Sequence, residues 1–270
     1  MIREALGLVD FADVVDEART FLSLPYLEPE PRPRKQLGAS ASSGSAEAAR
    51  RLFAMSRPIG GTLVETYLRH RGITSLHGTE NLRFHPLCYY RPDDHSPTEL
   101  WPAMIAAVTD LNGRITGAHR TWLAPDGSDK APIETQRKAM GDMLGRAVHF
   151  GVPGEVMAAG EGVESVLSVR EVLRDMAMAA ALSAAHLAAV RFPETLRRLY
   201  IVCDNDPAGS GARDRLIDRA NAAGIEAIAF SPTLEDFNGD LCALGVDALR
   251  ANIRVQLAPQ DVARFMAEAP

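Results

Sequence analysis

The chain has 270 residues, 46% of them hydrophobic and 24% charged, with a net charge of −6, an ordinary balance for a soluble globular protein long enough to bury a substantial core. The acidic balance argues against a protein that coats nucleic acid through bulk positive potential, although phosphate can still be held by a local basic groove or a bound cation. Three scattered cysteines, Cys88, Cys203 and Cys242, make neither a disulfide framework nor a zinc quartet, so no zinc is expected.

Taken in order, residues 9–24 space apolar side chains at helical intervals, and an N-terminal helix is expected within 1–24. Residues 25–46 turn to alternating prolines and then Ser, Gly and Ala, the composition of a flexible linker. From 47 to 152 the pattern predicts an α+β module. Residues 47–57 read as a helix stopped at Pro58. A second helix over Leu63–Arg71 carries a capping box, Thr62 to Glu65, with Gly72 placed just past its end. L-R-F-H-P-L-C-Y-Y has strand character, and its His85 and Cys88 are read as structural, with no second pair of metal ligands nearby. Two apolar runs meet at Asn112-Gly113, a strong hairpin signal. A turn at Asp126-Gly127 leads into K-A-P-I-E-T-Q-R-K-A-M-G, whose Lys130, Arg137 and Lys138 are candidate phosphate or nucleic-acid contacts.

Over 153–253 the pattern changes to alternating strands and helices. Strands are predicted at 156–159, 177–181, 199–203 and 225–230, and helices at 163–174, 184–191 and 208–223. Apolar strands with short connections predict a parallel α/β sheet flanked by helices. A further helix is expected near 240–253, and residues 254–270 form a tail with room for one short helix. No apolar run approaches the roughly 20 residues that span a bilayer and no secretory leader is visible, so a cytoplasmic protein without a membrane partner is expected.

Two acidic motifs close strands of this sheet. E-V-M-A-A-G-E-G-V-E carries Glu161 beside Gly162, and L-Y-I-V-C-D-N-D-P-A-G carries Asp204 and Asp206. Functional crevices of open parallel sheets lie beyond the carboxyl ends of the strands, so both motifs should face one crevice. On an extended segment Asp204 and Asp206 point the same way, with Asn205 between them turned elsewhere. Oxygen ligands that leave room for water suit Mg²⁺, for which Mn²⁺ can substitute. With metal at the aspartates, Glu161 is a candidate general acid or base. The structural alternatives are real: Asp206 before Pro207 is also a good helix N-cap, Glu164 reads as a first-turn acid favoured by the helix dipole, and Asp236 and Asn238 are weaker candidates for a further metal or phosphate contact.

The order E-G-V-E-S, a spacer, then V-C-D-N-D-P-A-G resembles the Toprim domain shared by DnaG-type primases, topoisomerases, OLD-family nucleases and RecR-type proteins. Glu161, Gly162, Asp204 and Asp206 match its Glu-Gly and Asp-x-Asp pattern. The resemblance implies a Toprim-type sheet and Mg²⁺-dependent phosphodiester chemistry, with Glu161 as acid/base and the aspartates on metal. Upstream, the Lys130 segment is similar to the one that precedes this domain in primases. G-T-L-V-E-T-Y-L-R-H-R-G-I and Asp236-Phe-Asn238 resemble primase-helicase-like proteins of phages and mobile elements. The implied activity is primase-like nucleotidyl transfer on single-stranded DNA, using nucleotides, in replication of DNA or a mobile element. Such primases usually carry a zinc ribbon that engages template, and nothing in this sequence supplies one, so a replicative helicase or other replication protein is an expected partner. A Toprim nuclease or nickase and a non-enzymatic DNA-binding module are the alternatives.

Overall fold

A computed structural model of the chain describes residues 43–266, apart from Asp94 and Asp206. The helix expected within 1–24 and most of the 25–46 linker lie outside the described residues. Helix α1 (Ser43–Met55) comes first, followed by the two-residue strand β1 (Arg57–Pro58) and helix α2 (Leu63–His70).

The start of α2 differs in one detail from the expected capping box. The Thr62 hydroxyl accepts from Val64 N at 3.3 Å, but Glu65 reaches past Thr62 and accepts from Gly61 N at 2.7 Å. At the other end Gly72 takes φ +72°, which lets Ile73 N donate to Leu68 O and Gly72 N to Arg69 O. These crossed bonds satisfy the last carbonyls of the helix and stop it there.

Four longer strands complete the first sheet: β2 (Leu82–Tyr90), β3 (Glu99–Thr109), β4 (Ile115–Trp122) and β5 (Arg137–Gly141). The sheet is antiparallel in the order β1-β2-β3-β4-β5, and the predicted Asn112-Gly113 hairpin joins β3 to β4. Helix α1 covers part of one face, where Ala49 and Phe53 pack among Ala103, Ile105, Ala118 and Trp122.

The second sheet contains β6 (Val148–Phe150), β7 (Val156–Gly160), β8 (Ala177–Ala180), β9 (Arg198–Val202) and β10 (Glu226–Phe230). Its order is β10-β9-β7-β8-β6. All pairings are parallel except that of β6, which runs antiparallel to β8 and closes one edge. The connecting helices are α3 (Val163–Val172), α4 (Ala184–Ala188) and α5 (Pro207–Ala222), followed by α6 (Phe237–Gln256) and α7 (Pro259–Phe265). Helix α6 breaks at Gly245, whose φ of 84° lies outside the helical region.

The two sheets share one apolar cluster. Tyr67, Leu82 and Met104 from the first half join Val148, Phe150, Val166 and Phe237 from the second. A continuous core fixes the sheets relative to one another far more firmly than a polar seam would. Among the described residues no helix is long and apolar enough to cross a membrane.

Candidate active-site cleft

Strands β7 and β9 are immediate neighbours, with Gly160 in register with Val202. Their carboxyl ends therefore lie side by side, and the next residues deliver Glu161 and Asp204 to the same rim. Close packing at this point requires Gly160. A Cβ there would sit 2.8 Å from both Val166 Cγ2 and Val202 Cβ, closer than folded chains tolerate. Gly162, by contrast, holds φ −86° at the N-cap of α3 and has ordinary space around it.

Beyond the strand ends lies a cleft of about 160 Å³. Glu161, Asp204 and Asp236 enter it from the second half of the chain, and His119, Lys130 and Arg137 from the first. Asp204 is half-buried and accepts a hydrogen bond from Ser165 Oγ at 3.2 Å, which restrains its carboxylate. The following residue anchors the loop. Asn205 N donates to Glu235 O at 2.8 Å and Asn205 Nδ2 to Leu234 O at 2.6 Å. That partner segment is itself held by buried Asp240, which accepts from Thr233 N and Leu234 N at 2.7 and 2.8 Å. Asp206 lies outside the described residues.

Glu161 is fixed through its backbone. Its carbonyl accepts from Leu182 N at 2.7 Å, and Leu182 adopts φ +76°, a left-handed conformation that is strained for a non-glycine residue. Asp236 caps α6, accepting from Gly239 N at 2.6 Å, while its residue also lines the cleft. Asn238 is buried away from the cleft and uses its amide on Arg71 O at 2.7 Å and Ser168 Oγ at 3.0 Å.

The basic wall contains a buried acid, Glu164, which the sequence offers only as a first-turn helix acid. Glu164 accepts from the Tyr67 hydroxyl at 2.7 Å and stands 3.8 Å from Lys130 Nζ. Burial alone would raise its pKa, but Lys130, the Tyr67 hydroxyl and Arg137 outweigh burial and hold it below the usual glutamate range. Lys130 is also shifted down: burial and the neighbouring Arg137 and Arg71 oppose its charge more than Glu164 supports it. Lys130, Arg137 and Arg71 surround Glu164, while the cleft as a whole is lined by four carboxylates and three such cations. The 3.8 Å separation places the tyrosine hydrogen bond, rather than the ion pair, as the tighter hold on Glu164. His119, nearly fully buried, has its pKa lowered to about 4 mainly by burial and stays neutral at pH 7, with Nδ1 lacking a hydrogen-bond partner.

Arg137 and Lys138 part company. Arg137 pairs with Thr121 and lines the cleft, whereas Lys138 pairs with Arg120 and lines a different groove on the other face of the sheet. Among the described residues no three His, Cys, Asp or Glu side chains converge tightly enough to enclose a metal unaided. Glu161 and Asp204 nonetheless form an oxygen-only donor set at one rim, and this chemistry fits a divalent cation that retains much of its water. Tyr67 and His119 carry no local pattern in the sequence, and that of Glu164 is only a first-turn helix acid. Their roles depend on which helix and strand faces the chain folds together.

Residues 156–247, which hold this parallel sheet with carboxylates at adjacent strand ends, match the Toprim domain family. Residues 43–150 match a domain of unknown function, DUF7146. The fold is similar to a fragment of the Aquifex aeolicus primase containing its zinc-binding and RNA polymerase domains, at 14% identity and a TM-score of 0.56 over 99% of this chain and 72% of that one. A DNA primase domain from Pseudomonas aeruginosa aligns at 15% identity and TM-score 0.53 over 82% of this chain and 81% of that one. The RNA polymerase domain of Mycobacterium tuberculosis DnaG aligns at 16% identity and TM-score 0.52 over 84% and 89%. No curated protein sequence matches the chain. The chain thus carries a Toprim domain within a primase-like fold.

Proposed function

We propose that the protein is a Mg²⁺-dependent, primase-like nucleotidyltransferase that acts on single-stranded DNA in replication of DNA or a mobile element. The observation that carries this reading is the composition of the cleft, where Glu161 and Asp204 from adjacent strand ends share the lining with Lys130 and Arg137 from the first half of the chain. Phosphoryl transfer is catalysed chiefly by positioning and by neutralising charge, and those groups are of the types it needs.

Glu161 and Asp204, with Asp206 and Asp236 as further oxygen donors, would hold a divalent cation, whose chemistry there would be to offset the charge of nucleotide phosphates. Lys130 and Arg137 would hold phosphate oxygens from the opposite wall. Glu161 Oε would take the proton of the 3′-hydroxyl as its oxygen bonds to the α-phosphorus of the incoming nucleoside triphosphate. The bond from that phosphorus to the bridging oxygen of the β-phosphate would break and release pyrophosphate. Ser165 would keep the Asp204 carboxylate in one orientation, and Glu164 with Tyr67 would limit where the Lys130 ammonium can reach. Such a cytoplasmic enzyme would work with a replicative helicase or another replication protein that presents template.

The test is incubation of purified protein with single-stranded DNA, labelled ribonucleotides or deoxynucleotides, and Mg²⁺ or Mn²⁺, with and without a cognate helicase. Oligonucleotide products that disappear in Asp204→Ala are expected. Absence of product in every combination overturns the reading. Plasmid nicking abolished by Asp204→Ala, without synthesis, would assign the same acids to hydrolysis.

A further inference from the structure

Strand alternation gives the first sheet a second charged surface. On the face opposite the acidic cleft, a groove of about 400 Å³ is lined by Tyr89, Arg91, Thr98, Arg120, Trp122 and Lys138. Three of the six carry positive charge, and no carboxylate among the described residues lines the groove. Asp93, near Arg91 in sequence, directs its carboxylate to the His95 and Ser96 amides. Arg91 is anchored by two hydrogen bonds to Thr98 Oγ1, at 3.2 and 2.7 Å.

Arg120 is the telling member. Its guanidinium lies 5.2 Å over the Trp122 ring, and among the described residues it makes no ion pair. Its Nε and the Trp122 Nε1 are both buried, and the polar group beside each is the Cys88 thiol, a weak acceptor at best. A partly buried cation without an acid is costly unless an anion arrives. Trp122 is fully buried beneath Arg120 and fixed edge-on by Tyr90 at 5.1 Å, so the accessible aromatic surface beside these cations is the 70%-exposed Tyr89.

We infer that this groove binds the phosphate backbone of a single-stranded nucleic acid, as an exosite separate from the acidic cleft. Three cations beside the exposed Tyr89 ring suit a single strand, since its backbone needs charge and an unpaired base needs a flat apolar surface. The two sites are joined by β5, the edge strand of the sheet: Arg137 faces the cleft and Lys138 the groove. A strand crossing that edge would touch both. This inference rests on the groove's own chemistry and does not require the proposed synthesis to be correct.

Trp122 provides a local reporter, because the chain contains only two tryptophans and Trp101→Phe leaves Trp122 alone. Titration of that variant with oligo-dT of increasing length, without Mg²⁺, should change Trp122 fluorescence, and affinity should rise with length. On the same background, Arg91→Glu with Lys138→Glu should weaken binding at least about tenfold and reduce the salt dependence by roughly two counterions. Both charge reversals lie on exposed side chains, and circular dichroism checks that the fold is intact. Asp204→Ala should leave this binding unchanged. Tripolyphosphate is the control: if it alters Trp122 as strongly and oligonucleotides bind no tighter with length, the groove takes small anions and the strand assignment fails. No fluorescence change, or equal affinity after charge reversal, also overturns it. A protein that makes no product but binds DNA through Lys138 would sink the proposed enzyme activity and leave this exosite standing.

Discussion

The second sheet presents chemistry at its strand ends, whereas the first presents it across its faces. Strands β7, β8 and β9 are four or five residues long and almost wholly buried, so nothing along them is available to a ligand. Their acids appear only where the backbone leaves the core. In the first sheet β5 and the outer ends of β2 and β3 stay exposed, and there the period of two decides which surface each side chain reaches. A parallel sheet therefore concentrates ligands at one rim, while an antiparallel sheet can serve two sites from neighbouring residues.

The seam between these sheets is where substitution should matter most. Glu164→Ala would leave Lys130 half-buried without its acid and the Tyr67 hydroxyl without its acceptor. Breaking such a buried pair costs about 3 kcal/mol or more, and chemical denaturation should report that loss. Glu164→Gln keeps a hydrogen-bonding oxygen and should cost less. The pH dependence separates charge from packing. Because the Glu164 pKa is depressed in the folded protein, its contribution is present above the unfolded carboxyl pKa and disappears as pH falls through the lower folded value. The acid-side fall in Tm should accordingly be shallower in Glu164→Gln than in wild type. Parallel curves would show that Glu164 contributes shape alone.

At the strand-end rim, Asp204→Ala should lower any phosphodiester activity by at least about 100-fold, since even outer-shell groups at metal sites are worth 10–100-fold. Calorimetric titration with Mn²⁺ checks the cause: the cation affinity should fall with activity. Gly160→Ala tests the same rim through packing. Its new methyl meets Val202 and Val166 at 2.8 Å, so β7 and β9 must separate. Overpacking of this kind costs about 1–3 kcal/mol, and both Tm and cation affinity should decline. A variant that keeps wild-type affinity would show that Glu161 and Asp204 need no close spacing.

Much of this contrast is legible in the sequence, and the rest fails for identifiable reasons. The alternation from Val156 to Phe230 is regular enough to place β7 to β10 and their helices, because local apolar runs and short connections agree. Gly72 and Asn112-Gly113 are readable since their backbone demands are local. Strand β6 is missed: three residues between turns carry no period, and its membership depends on pairing with β8. Glu164 resembles any first-turn acid until Tyr67, remote in sequence, is packed over it. Arg137 and Lys138 look like one basic cluster, and only the register with β4 assigns them to opposite faces. Asp236-x-Asn238 looks like one motif as well, yet the helix turn it begins sends Asn238 into the core.

Asp236 offers the finest test, because capping and ligand binding make opposite demands on its charge. Its Oδ1 already accepts from Gly239 N, a bond that an asparagine oxygen makes about equally well. Asp236→Asn should therefore leave Tm nearly unchanged. An amide is a poorer ligand for a hard divalent cation than a carboxylate, so Mn²⁺ affinity should drop, by less than in Asp204→Ala. A drop in Tm with unchanged affinity would make Asp236 a helix cap alone. The cation would then be held at the strand ends of β7 and β9, without help from the start of α6.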